Sequence, residues 1–121
     1  MGLFDLTDLV LQRGLEGAAL RQQILSNNLA NANTAGFKRS DLDFASSLDA
    51  ALESGDPSGS LERTEFRPQT DTTSSMSADG NNVDVDQELS SLTENTIQYQ
   101  AIVAIERVRM QMLQTAMTGT P

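Results

Sequence analysis

The 121-residue chain carries 17 acidic and 8 basic residues for a net charge of −9, and it contains no His, Cys or Trp. One domain is all this length supports, because two cores of half the size could not each offset their chain entropy. The composition excludes a Ser-His-Asp triad, a cysteine nucleophile, a zinc finger and a disulfide scaffold, and the negative charge argues against nucleic acid as a partner.

The first residues do not read as a secretory signal: 1–11 holds Asp5 and Asp8, has no basic start and lacks a long apolar run. Over the zone 1–36, Leu11, Leu15, Ala18, Leu25, Leu29 and Ala32 recur on steps of four and three, with Gln22 the one polar interruption. That spacing predicts an amphipathic helix. Gly14 and Gly17 each cost about 1 kcal/mol against Ala inside it, and close approach of a neighbouring backbone is their expected benefit. Gly36 is placed to end the helix in the left-handed conformation. Asn27, Asn28, Asn31 and Asn33 are poor helix formers. Two readings stand for them: their amides meet late helical carbonyls, or they contact a neighbouring subunit, since Asn27 and Asn31 share a face.

The zone 37–83 is an acidic connector. Residues 40–95 hold thirteen acids and two arginines, whereas 1–39 and 96–121 are each close to neutral. Leu42, Phe44, Leu48 and Leu52 predict a short helix or turn packed back on the terminal helices. Residues 53–82 have only Leu61, Phe66 and Met76 as large apolar side chains, which predicts a loop that is flexible when isolated. Within it, 61–67 is expected as a short strand in a small hairpin. The run from Asp79 to Asp86 superficially resembles a calcium loop. Counted from Asp79, however, position 6 is Asp84 and position 12 is Ser90, where an EF-hand needs Gly and Glu. It reads instead as a Gly/Asn turn entering a helix cap. The carboxylate pairs Asp41/Asp43 and Asp84/Asp86 have no His, aromatic wall or glycine-rich cradle beside them, and read as solvated charge. No metal, cofactor or small-molecule substrate is implied.

The zone 84–121 predicts a second helix, capped by Asp84 or Asp86, with Glu88 complementing its dipole. Val85, Leu89, Leu92, Tyr99, Val103, Met110, Leu113 and Met117 follow steps of seven, four and three, with Thr96 and Glu106 in the polar slots. A second stripe of Ala101, Ile105, Val108, Met112 and Ala116 runs beside it. Met110, Met112 and Met117 read singly as a core stripe, but the doubled face is wider than one partner helix needs and points to other copies or other proteins. The fold class is therefore all-α. Long N- and C-terminal helices pack as an antiparallel coiled-coil-like pair, joined by a polar, partly disordered segment with at most a small hairpin.

Three blocks in this order bracket nearly the whole chain. Ser26-Asn27-Asn28-Leu29-Ala30-Asn31-Ala32-Asn33-Thr34-Ala35-Gly36-Phe37-Lys38 resembles the N-terminal signature of the flagellar rod and hook family of axial proteins. Asp79-Gly80-Asn81-Asn82-Val83-Asp84-Val85-Asp86-Gln87-Glu88 is similar to the segment that opens the C-terminal helix in proximal rod members. Glu94-Asn95-Thr96-Ile97-Gln98-Tyr99-Gln100-Ala101 is similar to the Asn…Tyr-Gln motif inside that helix. Ala35 stands where the family often has Pro, which weakens the stop after the first helix. The resemblance implies a non-enzymatic subunit of the proximal rod, exported unfolded through the flagellar type III gate without a cleaved signal. It implies assembly in the basal body with further copies, other rod proteins, the rod-base adaptor and the export gate. The residues expected at the assembly interface are Leu11, Leu15, Ala18, Leu25, Asn27, Asn28, Leu29, Asn31, Tyr99, Val103, Met110 and Leu113, with Gly36 shaping the helix end. Two other classes compete: a cytoplasmic coiled-coil adaptor or export chaperone, and a carboxylate hydrolase, which would need a pocket.

Overall fold

The computed structural model describes residues 3–119, with side chains from Asp5 onward; positions 1, 2, 120 and 121 of the two terminal zones lie outside the described residues. In chain order the elements are α1 (Leu3–Ala30), β1 (Ser40–Asp41), α2 (Phe44–Leu52), α3 (Pro57–Arg63), β2 (Gln69–Thr70) and α4 (Val85–Thr118). Helices α1 and α4 pack along each other and run antiparallel, with Asn28 meeting Glu88 near one end and Asp8 meeting Arg109 near the other. Helices α2 and α3 form a second layer on α1.

The core lies between α1 and this small layer. Ala18, Leu42, Phe44, Leu48, Ala51 and Leu61 are buried there, with Ile24 and Phe66 packed at the margin. Helix α2 forms because Asp43 accepts from the Ser46 amide at 3.1 Å, while Phe44, Leu48 and Ala51 turn a buried face inward. Phe66 then meets the Phe44 ring edge-on, with centroids 6.5 Å apart. The Phe44 side chain lies directly over Gly17, so the first helix and the small layer approach at a residue without a Cβ.

The expected strand at 61–67 is not there. Residues Pro57–Arg63 form α3, capped by Asp56, begun by Pro57 and anchored by the fully buried Leu61. One buried leucine and a good N-terminal signal outweigh the poor helix formers of this turn-rich stretch. The actual ladder is shorter and more distant, with Ser40 opposite Thr70 and Asp41 opposite Gln69. Helix α1 also ends earlier than expected, at Ala30. Residues 31–36 form turns, and Gly36, at φ +74°, closes that run rather than the helix itself. Helix α4 begins as expected: the Asp84 carboxylate accepts from the Gln87 amide at 3.2 Å. Gly119 ends it in the left-handed conformation. No helix among the described residues is long and apolar enough to cross a membrane.

Candidate functional site

Two features bear on function, one where the Asn-rich end of α1 meets the turn before α4 and the other along the outward side of α4. The first is an interior clasp. Asn81 donates from its side chain to the carbonyls of Asn31 and Thr34, both at 2.8 Å, and so satisfies carbonyls left open beyond the end of α1. Asn82 accepts from the Arg39 amide at 2.7 Å and donates to the Asp71 carbonyl at 2.7 Å. Asn28 brackets Ser40, donating to its carbonyl at 2.6 Å and accepting from its amide at 3.0 Å. It also donates to Glu88 at 3.2 Å. Asn28, Asn81 and Asn82 are all buried. Of the two readings for the Asn cluster, local capping describes Asn31, whose side chain donates to the Asn27 carbonyl at 2.8 Å. Asn28 does something neither reading anticipated, since it ties α1 to β1 and α4.

Arg39 is the ionic centre of the clasp. Its guanidinium pairs with the Glu88 carboxylate, approaches Asp71 at 3.5 Å and Asp41 at 3.7 Å, and is largely covered. The Glu88 hydrogen bond, opposed by burial and assisted by the charges of Glu88 and Asp41, raises Arg39 above the ordinary arginine value. Arg21 forks onto both oxygens of Asp41 at 2.8 and 3.1 Å. Burial pushes the Asp41 carboxyl up, but the Arg21 bond, the Leu42 amide and the charges of Arg21 and Arg39 together hold it below its usual range. The sign follows: a depressed folded pKa contributes stability that is complete above the unfolded value, about 4, and is lost as pH falls through the folded value. Without His, no side chain ordinarily titrates between about pH 5 and 8. Thermal melts are therefore expected to be flat from about pH 6 to 8 and to weaken below about pH 4. A midpoint already falling at about pH 6 would contradict this account.

The second feature is the outward side of α4. Its buried positions are polar, namely Glu88, Ser91 and Asn95. Most of its apolar stripe residues face out: Leu89, Ile97, Tyr99, Ile105, Val108, Met110, Met112, Leu113 and Met117 are all exposed, Met110 to 64% and Met117 to 85%, whereas Leu92 and Val103 are half-buried. The single-chain core reading of the three methionines is thereby overturned. The α1–α4 pairing selects the polar edge of the helix instead, because Arg39, Asn28 and Gln22 supply partners there.

The structure divides the residues expected at an interface. Leu11, Ala18, Leu25 and Asn28 face the chain's own interior. Leu15, Val103, Met110 and Leu113 converge, with Met117, on one groove of about 690 Å³ between α1 and α4. Tyr99 lies apart, in a groove of about 530 Å³ with Ala18, Gln22 and Asn95. Asn27 is exposed, while Leu29 and Asn31 are half-buried. Sequence reasoning missed Arg39, Glu88 and Asn95. Glu88 and Asn95 carry a detectable signal, for they sit seven residues apart on one edge of α4. Among the described residues no cluster of three or more carboxylates is arranged to hold a metal ion.

Residues 9–38, which contain α1 after its first turns and the Asn-rich turn, match the family described as flagella basal body rod protein. The flagellar basal body rod protein FlgB of Bacillus subtilis strain 168 is 34% identical to the chain over 133 aligned positions, covering 98% of each. FlgB of Yersinia enterocolitica is 37% identical over 110 positions, covering 78% of this chain and 80% of that protein. FlgB of Escherichia coli K12 is 34% identical over 105 positions, with 74% and 76% covered.

Proposed function

This chain belongs to the FlgB family of flagellar basal body rod proteins, and we propose that it is held in the rod through the outward apolar face of α4 and the adjoining groove with α1. It is a structural subunit of the basal body rod rather than an enzyme, and it associates there with other rod proteins. The adaptor or chaperone reading gives way, since relatives sharing nearly the whole chain are rod proteins. The observation that carries the interface is the inversion of α4, which buries Glu88, Ser91 and Asn95 and exposes most of its doubled apolar stripe. A continuous apolar face of that kind marks a protein interaction surface, and its methionines suit adaptable packing against non-identical neighbours.

On this reading Leu15, Val103, Met110 and Leu113 meet adjacent subunits around one groove, and Tyr99, Asn27, Leu29 and Asn31 extend the contact along the pair. Its place is the proximal rod, in the periplasm, reached through the flagellar type III export gate. The rod-base adaptor is among its neighbours. The test is Met110→Asp combined with Leu113→Asp. Both sites are exposed, so the isolated chain should keep its helicity and melt within about 0.5 kcal/mol of the parent per site. The variant should nevertheless be absent from purified basal bodies, and cells relying on it should not swim. Normal incorporation and swimming would remove the α4 face from the interface.

A further inference from the structure

Helix α4 is apolar on two opposite flanks. One flank meets α1 in the groove lined by Leu15, Val103, Met110, Leu113 and Met117. The other carries Ile97, Ala101, Ile105, Val108 and Met112, all exposed. Each residue turns the helix by about 100°, so Ile105 lies about 160° around from Val103, and Met112 as far from Met110. Among the described elements α4 packs against α1 alone, so no other helix of the chain covers either flank.

The two flanks match in length. The groove runs along α4 from Val103 to Met117, about 21 Å of helix, and the far stripe from Ile97 to Met112, about 22 Å. They also match in charge. The far stripe has none, and the groove lining has one acid and one base, Glu106 and Arg107. The negative charge of the chain sits elsewhere, since 40–95 holds thirteen acids against two arginines. Two copies therefore repel through their middles and can press together only along the terminal helices.

A flank that paired with itself would leave the other bare. Groove against groove, for instance, covers Met110 and Leu113 twice and leaves Ile105 and Val108 in water. Stripe into groove covers both flanks with one kind of contact. Such a contact is heterologous: each copy offers its stripe to one neighbour and its groove to the next, and the array stays open.

We propose that the far stripe of α4 seats in the α1–α4 groove of a second copy of this chain. The pairing rests on the reading of these surfaces as assembly faces, and it names the occupant of the groove. It belongs to the assembled state and is tested there.

The chain has no cysteine, so Met110→Cys and Ile105→Cys place single thiols near the midpoints of groove and stripe, where alignment in either direction brings them together. Basal bodies are purified from cells making the two single variants together, and from cells making either one alone. A short bismaleimide should link the chain into dimers in the mixture and in neither single preparation. Dimers from one variant alone would show a flank meeting itself and overturn the pairing. A mixture that is incorporated but forms no dimer, or links only to a different protein, overturns it too. Leu113→Cys or Val108→Cys replaces a variant that does not enter the basal body. Exclusion of both versions at one flank also overturns the pairing, since a methionine-rich face adapts to one smaller side chain. A chain present in basal bodies without these links loses the pairing and keeps the α4 interface, which the double aspartate variant decides separately.

Discussion

Replacing Arg39 by Ala is expected to destabilise the chain by about 3–5 kcal/mol, measured by urea unfolding of the isolated protein. Glu88 has no exposed side-chain surface, and Arg39 is the cation that balances it. Without the guanidinium, Glu88 keeps only the Asn28 amide at 3.2 Å and would sit as a buried charge with no counter-ion. The loss extends beyond one pair, because Arg39 also faces Asp41 and Asp71 on the two sides of the β ladder. A domain of this size has about 5–15 kcal/mol in total, so the variant should stand at the edge of folding. Arg39→Met combined with Glu88→Leu should recover most of the loss, since removing both charges of a buried pair costs far less than removing one. A cost below about 1 kcal/mol for Arg39→Ala would show that Glu88 does not depend on its ion pair.

Gly17→Val is expected to cost about 2 kcal/mol and lower the melting midpoint by about 8 °C, although Val forms helix better than Gly. A Cβ at position 17 would lie 2.7 Å from both Cβ and Cγ of Phe44. Those atoms belong to the stem of a buried side chain on α2, so relief requires the second layer to move off α1. Gly14 is the control. A Cβ there would meet the Ile102 Cδ1 at 3.2 Å, the far end of a flexible side chain. Gly14→Ala should therefore stay within about 1 kcal/mol of the parent, its gain in helix propensity set against a small repacking. Equal costs at the two positions would remove the steric account. The sequence marked both glycines as points of close approach, but expected a backbone where the neighbours are side chains.

That difference is typical of what was legible. The two long helices follow from strong periodicity, and Asp84 from the preference of short acceptors for the N-cap. Phe44 and Leu48 on one face marked α2 correctly. Helix α3 was hidden because its only large apolar residue is Leu61, in a stretch rich in Ser and Gly. The Asp56-Pro57 start was the signal available there. The seam of α4 was hidden for a deeper reason. Periodicity finds a packing face by its apolar residues, and the face packed against α1 is the polar one. Glu88 was read as a first-turn acid because nothing in its local sequence shows Arg39, 49 residues away, covering it. Leu11, Ala18 and Leu25, expected at an assembly interface, are buried within the chain, for a regular apolar stripe does not say whether its partner is in the same chain.

The composition of that seam also bears on how the α1–α4 pair responds to load along its length. Two helices joined through regular apolar residues can slip by a heptad and find nearly equivalent contacts. Glu88 and Asn95 each hold their partners at one height on the opposing layer, and Arg109 holds Asp8 near the far end. Sliding α4 along α1 would have to break all three contacts together before any could re-form. In a subunit of the basal body rod, this makes the pair a keyed joint, stiff to shear along its length.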